Sequence, residues 1–134
     1  MVSWDLFIQD LPKGIHSIAE IPEDFAPQPL GRRDEFIARI KELVPGADFS
    51  DPSWGVIDGP GYSVEVNMGQ AEEVDSFALH VRGGDLVVGL IADLLDHLKV
   101  GALDPQSDTG IFQRDKALES LRRWREYRDQ VVGR

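Results

Sequence analysis

The chain has 134 residues, 42% of them hydrophobic and 28% charged, with 14 Lys+Arg against 24 Asp+Glu for a formal net charge of −10. That length suits a single domain over residues 1–134, and this mixture of apolar and charged residues excludes a disordered acidic tail or a fibrous repeat. The excess of acid argues against a nucleic-acid-gripping protein, whose affinity comes from Lys and Arg neutralising phosphates, and the lack of cysteine excludes disulfides, thiolate catalysis and Cys-type zinc sites.

Residues 3–9 alternate, with Trp4, Leu6 and Ile8 on one side and Ser3, Asp5, Phe7 and Gln9 on the other, which predicts a strand. Phe7 weakens the contrast between its sides. Residues 11–31 carry Pro12, Gly14, Pro22, Pro27, Pro29 and Gly31, which forbid a continuous helix or central strand and predict a long loop, of a length that is often functional. Residues 32–44 follow as an amphipathic helix, with Phe36, Ile37, Ile40, Leu43 and Val44 in one apolar stripe and Pro45-Gly46 ending it.

From Trp54 onward the period becomes two. Val64, Val66 and Met68 alternate with Ser63, Glu65 and Asn67, and Asp58-Gly59-Pro60-Gly61 marks a turn, so a hairpin is expected. A polar loop over residues 69–75 leads to a third strand of the meander, residues 76–82, with Phe77, Leu79 and Val81 opposite Ala78, His80 and Arg82. Gly83-Gly84-Asp85 then breaks the strand, and Asp85 is placed to cap a helix over residues 86–98. That helix is apolar except for a stripe of Gly89, Asp93, Asp96 and His97, so it is expected to be central, with Gly89 allowing a neighbour to approach closely. Residues 101–112 have room for one short strand or turn. Residues 114–132 form a last helix with Ala117, Leu118, Leu121, Trp124 and Val131 inward.

Clustered strands with helices to one side predict an α+β fold: a mainly antiparallel sheet of about four strands with three helices packed on one face. If the helices cover Val64, Val66, Phe77, Leu79 and Val81, then Glu65, Asn67, His80 and Arg82 point away together.

Several chemistries lose to plainer readings. Asp93 and His97 share a helix face, but zinc needs three or four ligands and no further His or Cys pair supplies them. His16 stands alone in the long loop. Arg82-Gly83-Gly84-Asp85 matches neither phosphate-binding glycine motif, and Asp85 repels phosphate. Gly59-Pro60-Gly61-Tyr62-Ser63 is not a nucleophile elbow. Residues 104–110 lack the alternating acids of a calcium loop and read as a turn, and Glu72, Glu73 and Asp75 read as a solvated loop. Residues 114–134 hold seven Lys/Arg against four Asp/Glu, a net of +3, but Glu119, Glu126 and Asp129 interleave with the arginines, so this helix is expected to be a salt-laced outer face or a clamp onto the acidic body rather than to meet nucleic acid. The body, residues 1–113, is then net −13.

The opening Trp4-Asp5-Leu6-Phe7-Ile8-Gln9-Asp10-Leu11-Pro12 and the central Phe77-Ala78-Leu79-His80-Val81-Arg82-Gly83-Gly84-Asp85 resemble a small uncharacterised bacterial protein family. That resemblance implies no activity. The size, acidity and strand-helix order also resemble immunity proteins that neutralise partner toxins in bacterial competition.

The expectation is therefore a non-enzymatic, acidic, protein-binding domain, an immunity protein for a basic toxin, with candidate binding residues Glu65, Asn67, His80, Arg82 and Asp85. No catalytic residue, metal or cofactor is assigned, and the partner is a basic protein rather than nucleic acid or membrane. The start of the chain does not read as a signal peptide and the apolar run of residues 86–98 is too short to span a bilayer, so a cytoplasmic location is expected. The alternative is a small ligand-binding domain or enzyme using the polar sheet face around His80.

Overall fold

The computed structural model describes residues 3–132. Its strands and α-helices are β1 (Trp4–Gln9), β2 (Gly31–Arg32), α1 (Arg33–Leu43), β3 (Trp54–Gly59), β4 (Tyr62–Asn67), β5 (Glu73–Val74), β6 (Ser76–Gly83), α2 (Leu86–Leu98), β7 (Gly101–Leu103) and α3 (Ala117–Val132). The main sheet runs β3-β4-β6-β1-β7 with every pairing antiparallel, and β2 pairs with β5 in a second, two-stranded sheet. The fold is α+β, with five strands in the main sheet rather than four. The additional strand is β7, whose three residues are too few to carry a readable period.

Alternation along the strands makes the core. Trp4, Leu6 and Ile8 of β1 are fully buried, as are Val64 and Val66 of β4 and Leu79 and Val81 of β6. Phe36 and Ile40 of α1, Val87, Ile91, Leu94, Leu95 and Leu98 of α2, and Ala117, Leu121 and Trp124 of α3 join them in one cluster. All three helices thus seal the same side of the sheet. Each large apolar side chain so buried stabilises the fold by about 1.5–3 kcal/mol before chain entropy is counted.

One polar contact sits in this interior. Trp4 Nε1 donates to Asp104 Oδ1 at 2.9 Å, and Asp104 is 1% exposed. The same oxygen accepts from the Gln106 backbone N–H at 3.0 Å. The start of β1 is thereby fixed to the turn after β7, and the expected turn over residues 104–110 is a structural anchor.

Each outer edge of the main sheet is paired in part by a short segment. Asp48 and Val56 exchange two backbone hydrogen bonds of 2.9 Å along the outer edge of β3. At the other edge the Phe112 N–H donates to Ala102 O at 2.9 Å and the Asp104 N–H to Gly110 O at 2.8 Å. An exposed edge is a template for unwanted strand pairing, and short covering segments blunt it. Gly83 closes the β3–β4 hairpin onto α2: its φ is +122° and a Cβ there would lie 2.3 Å from Gly61 O.

Several expectations need correction. The 11–31 loop contains a 3₁₀ turn at Ile18–Glu20 and ends in β2, whose partner β5 lies inside the expected polar loop. Leu43 and Val131, each in the last turn of its helix, are exposed rather than inward. Gly89 faces open space and admits no neighbour. Asp85 precedes α2 in αR geometry and makes no side-chain cap bond; its carboxylate is taken by Arg125 of α3.

Trp4→Phe is expected to lower the unfolding free energy by about 2–4 kcal/mol, because it strips a buried carboxylate of a donor and leaves a void. Asp104→Asn, which keeps an acceptor for the indole, should cost less. Urea denaturation of the three proteins checks this order.

Candidate functional site

The side of the main sheet turned away from the helices carries the candidate site. Residues two apart on a strand share a face, and antiparallel pairing sets them in rows. In one row Glu65 of β4 lies opposite His80 of β6, which in turn lies opposite Asp5 of β1. The next row toward the β3–β4 turn pairs Asp58 with Ser63 and Ser63 with Arg82. On the other side lie Trp54, Asn67, Ala78, Phe7 and Leu103, each opposite the next.

Hydrogen bonds tie these rows together. Glu65 accepts from Trp54 Nε1 through Oε2 at 2.7 Å and from Arg82 NH1 through Oε1 at 2.6 Å. His80 Nδ1 lies 2.8 Å from Asp5 Oδ1, a contact in which the ring N–H donates to the carboxylate and which sets the orientation of the imidazole. Ser3 Oγ also donates to Asp5 Oδ1. The Trp54 ring stacks over the His80 imidazole at 5.5 Å between centroids and 19° between planes. The result is one connected patch across four strands: aromatic at Trp54, acidic at Asp5 and Glu65, with the guanidinium of Arg82 neutralised by its partner.

Glu65 is held below the usual glutamate range. Partial burial on its own pushes its pKa up, but the hydrogen bonds from Arg82 and Trp54, together with the charges of Arg82 and His80, outweigh that push. Arg82 Nε is buried without a hydrogen-bond partner among the described residues, so the guanidinium depends on Glu65 for its compensation.

Of the five sequence-derived candidates, Glu65, His80 and Arg82 meet in this patch. Asn67 lies one row away, opposite Trp54, and lines a shallow groove of about 360 Å³ with Phe7, Gln9, Ser76 and Leu103. Its floor is Ala78, whose small side chain leaves a dip between Phe7 and Asn67. Asp85 does not belong to the face, being bound to Arg125. Asp5, Phe7 and Trp54 are the residues that the candidate set lacks. Alternation already turned Asp5 and Phe7 outward, but only the placement of β1 beside β6 brings Asp5 to His80.

His80 does not line the groove, and it lies under Trp54. Among the described residues, no group of three or more His, Asp or Glu side chains is placed to hold a metal ion. Asp93 and Asp96, the former paired with His97 in the sequence reading, both accept from Arg114 NH2 at 2.9 Å. Comparison with protein-family models, with curated proteins and with solved structures finds no match.

Because the folded pKa of Glu65 is depressed, its stabilising contribution is present above the unfolded value near 4.3 and is lost as pH falls through the folded value. The stability gap between wild type and Glu65→Gln is therefore expected to shrink between about pH 5 and pH 3. Urea midpoints of both proteins across that range check it, and a gap independent of pH counts against an ionised Glu65 in this pair.

Proposed function

We propose that this chain is a non-enzymatic binding domain whose open sheet face takes a basic protein partner, in the way an immunity protein takes its toxin, and that it works in the cytoplasm. The observation that carries this reading is the pair of solvent-facing rings on that face, Trp54 and Phe7, each 39% exposed, set among the carboxylates of Asp5, Asp58 and Glu65. Aromatic anchors ringed by polar groups are where binding energy concentrates in protein interfaces. Among the described residues the only guanidinium on this face, that of Arg82, already belongs to Glu65.

The distribution of charge supports the same orientation. Arg114 is bound to Asp93 and Asp96, Arg123 to Asp108 and Glu119, and Arg125 to Asp85. Three arginines of the C-terminal segment are thus paired with acids of the helical side, as a clamp. Asp5, Asp58 and Glu65 on the sheet side meet no cation beyond Arg82 and the His80 ring among the described residues. Negative potential on one side steers a positive partner to it and quickens encounter. No helix of the described residues is long and apolar enough to cross a membrane, which is compatible with the location proposed.

Affinity capture from the native host with wild type, Trp54→Ala and Leu86→Ser tests this reading. Leu86 is 67% exposed on α2 and serves as the control from the helical side. A basic protein should be retained by wild type and Leu86→Ser at low salt and released at high salt. With Trp54→Ala its dissociation constant should rise by about 30-fold, the scale of a hot-spot loss near 2 kcal/mol. Salt-insensitive retention, or equal retention by Trp54→Ala, overturns the proposal.

A further inference from the structure

A second cleft lies apart from the patch around Trp54 and is built by the long loop. One wall is residues 9–15 with Leu30, the other is the turn from α2 into β7 with residues 111 and 112, and the volume is about 370 Å³. Leu11, Ile15, Leu30 and Phe112 give it an apolar lining, while Lys13 and Lys99 come to it from opposite walls. A cleft of this size with a few convergent polar groups suits a small ligand.

The two are half of the four lysines in a chain of net charge −10, and although Lys41 and Lys116 likewise form no salt bridge among the described residues, where most arginines do, only Lys13 and Lys99 share a cleft. Asp10, the one acid of the lining, already accepts from the Gln28 backbone N–H at 2.9 Å. Lys99 also occupies a costly position. It ends α2 with φ 57° and ψ 44°, and it is the only non-glycine residue with positive φ among the described residues. Glycine takes that left-handed conformation without the steric cost a Cβ brings. A lysine kept there, beside a second unpaired lysine and over an apolar floor, points to the charge itself being used. The loop wall is held in place rather than loose: the Ile18 N–H donates to Thr109 O at 2.9 Å, and Ser17 caps the 3₁₀ turn.

We propose that this cleft binds an amphipathic monoanion, a compact apolar chain or ring ending in one carboxylate, with the apolar body between Leu11 and Phe112 and the carboxylate between Lys13 and Lys99. This proposal does not rest on the partner-binding face, with whose groove the cleft shares only Gln9.

The test uses octanoate and its neutral counterpart octanamide as probes in amide NMR titrations of the full chain. Octanoate should shift the amides of Leu11, Ile15, Val100 and Phe112 and bind about tenfold tighter than octanamide, the scale of two partly solvated charge contacts. In Lys13→Gln/Lys99→Gln the two probes should bind alike. Lys99→Gly separates charge from fold: relief of the left-handed strain should raise its melting temperature by about 3 °C while most of the preference for octanoate disappears. The proposal is overturned if octanoate up to about 10 mM leaves those amides unmoved, if wild type does not distinguish the probes, or if Lys99→Gly keeps the full preference.

Discussion

Everything in this molecule follows from the register of its first strand. β1 lies between β6 and β7, so its alternate residues have no choice of environment. Trp4, Leu6 and Ile8 are fully buried, and slipping the strand by one residue would drive Asp5 and Gln9 into the core while expelling a tryptophan. The hydrogen bond from Trp4 to the buried carboxylate of Asp104 adds a directional lock to that apolar preference. Once β1 is fixed this way, Asp5 must stand beside His80 and Phe7 beside Ala78. The wet face is thus a by-product of the dry one, and its chemistry is set with the accuracy of the core.

Charge is divided by the same geometry. The ion pairs that join the C-terminal segment to the body are solvent-exposed, and each contributes little, about 0–1 kcal/mol. Their sum matters less than their location. They set Arg114, Arg123 and Arg125 against Asp85, Asp93, Asp96 and Asp108, away from the carboxylates of the open sheet face.

How much of this was legible in the sequence depends on element length and on whether contacts are local. β1, β4, β6 and α2 carry enough alternation or helical period to be read, and their bounds match closely. β2, β5 and β7 have two or three residues each, and no periodicity exists at that length. Glu65, His80 and Arg82 were legible as a set because two adjacent strands present them. Asp5 and Trp54 complete the patch from strands whose neighbours the sequence does not state. Asp85 misled for a related reason: a local rule, helix capping, lost to Arg125, a partner forty positions away.

The partly paired sheet edges have a further consequence. Proteins that recruit partners by strand addition offer backbone hydrogen bonds that almost any extended peptide can satisfy, so their choice of partner rests on a few pockets. Here Val56 is already matched by Asp48, and β7 by the segment ending at Phe112. At these positions a partner meets side chains rather than free backbone groups. Those side chains point outward from positions whose burial the fold does not need, so on the proposed reading exchanging Trp54, Phe7 or Asn67 would alter recognition and leave the core untouched. Such a scaffold can be retuned from one partner to another in single steps, and chains sharing its architecture need not share a target.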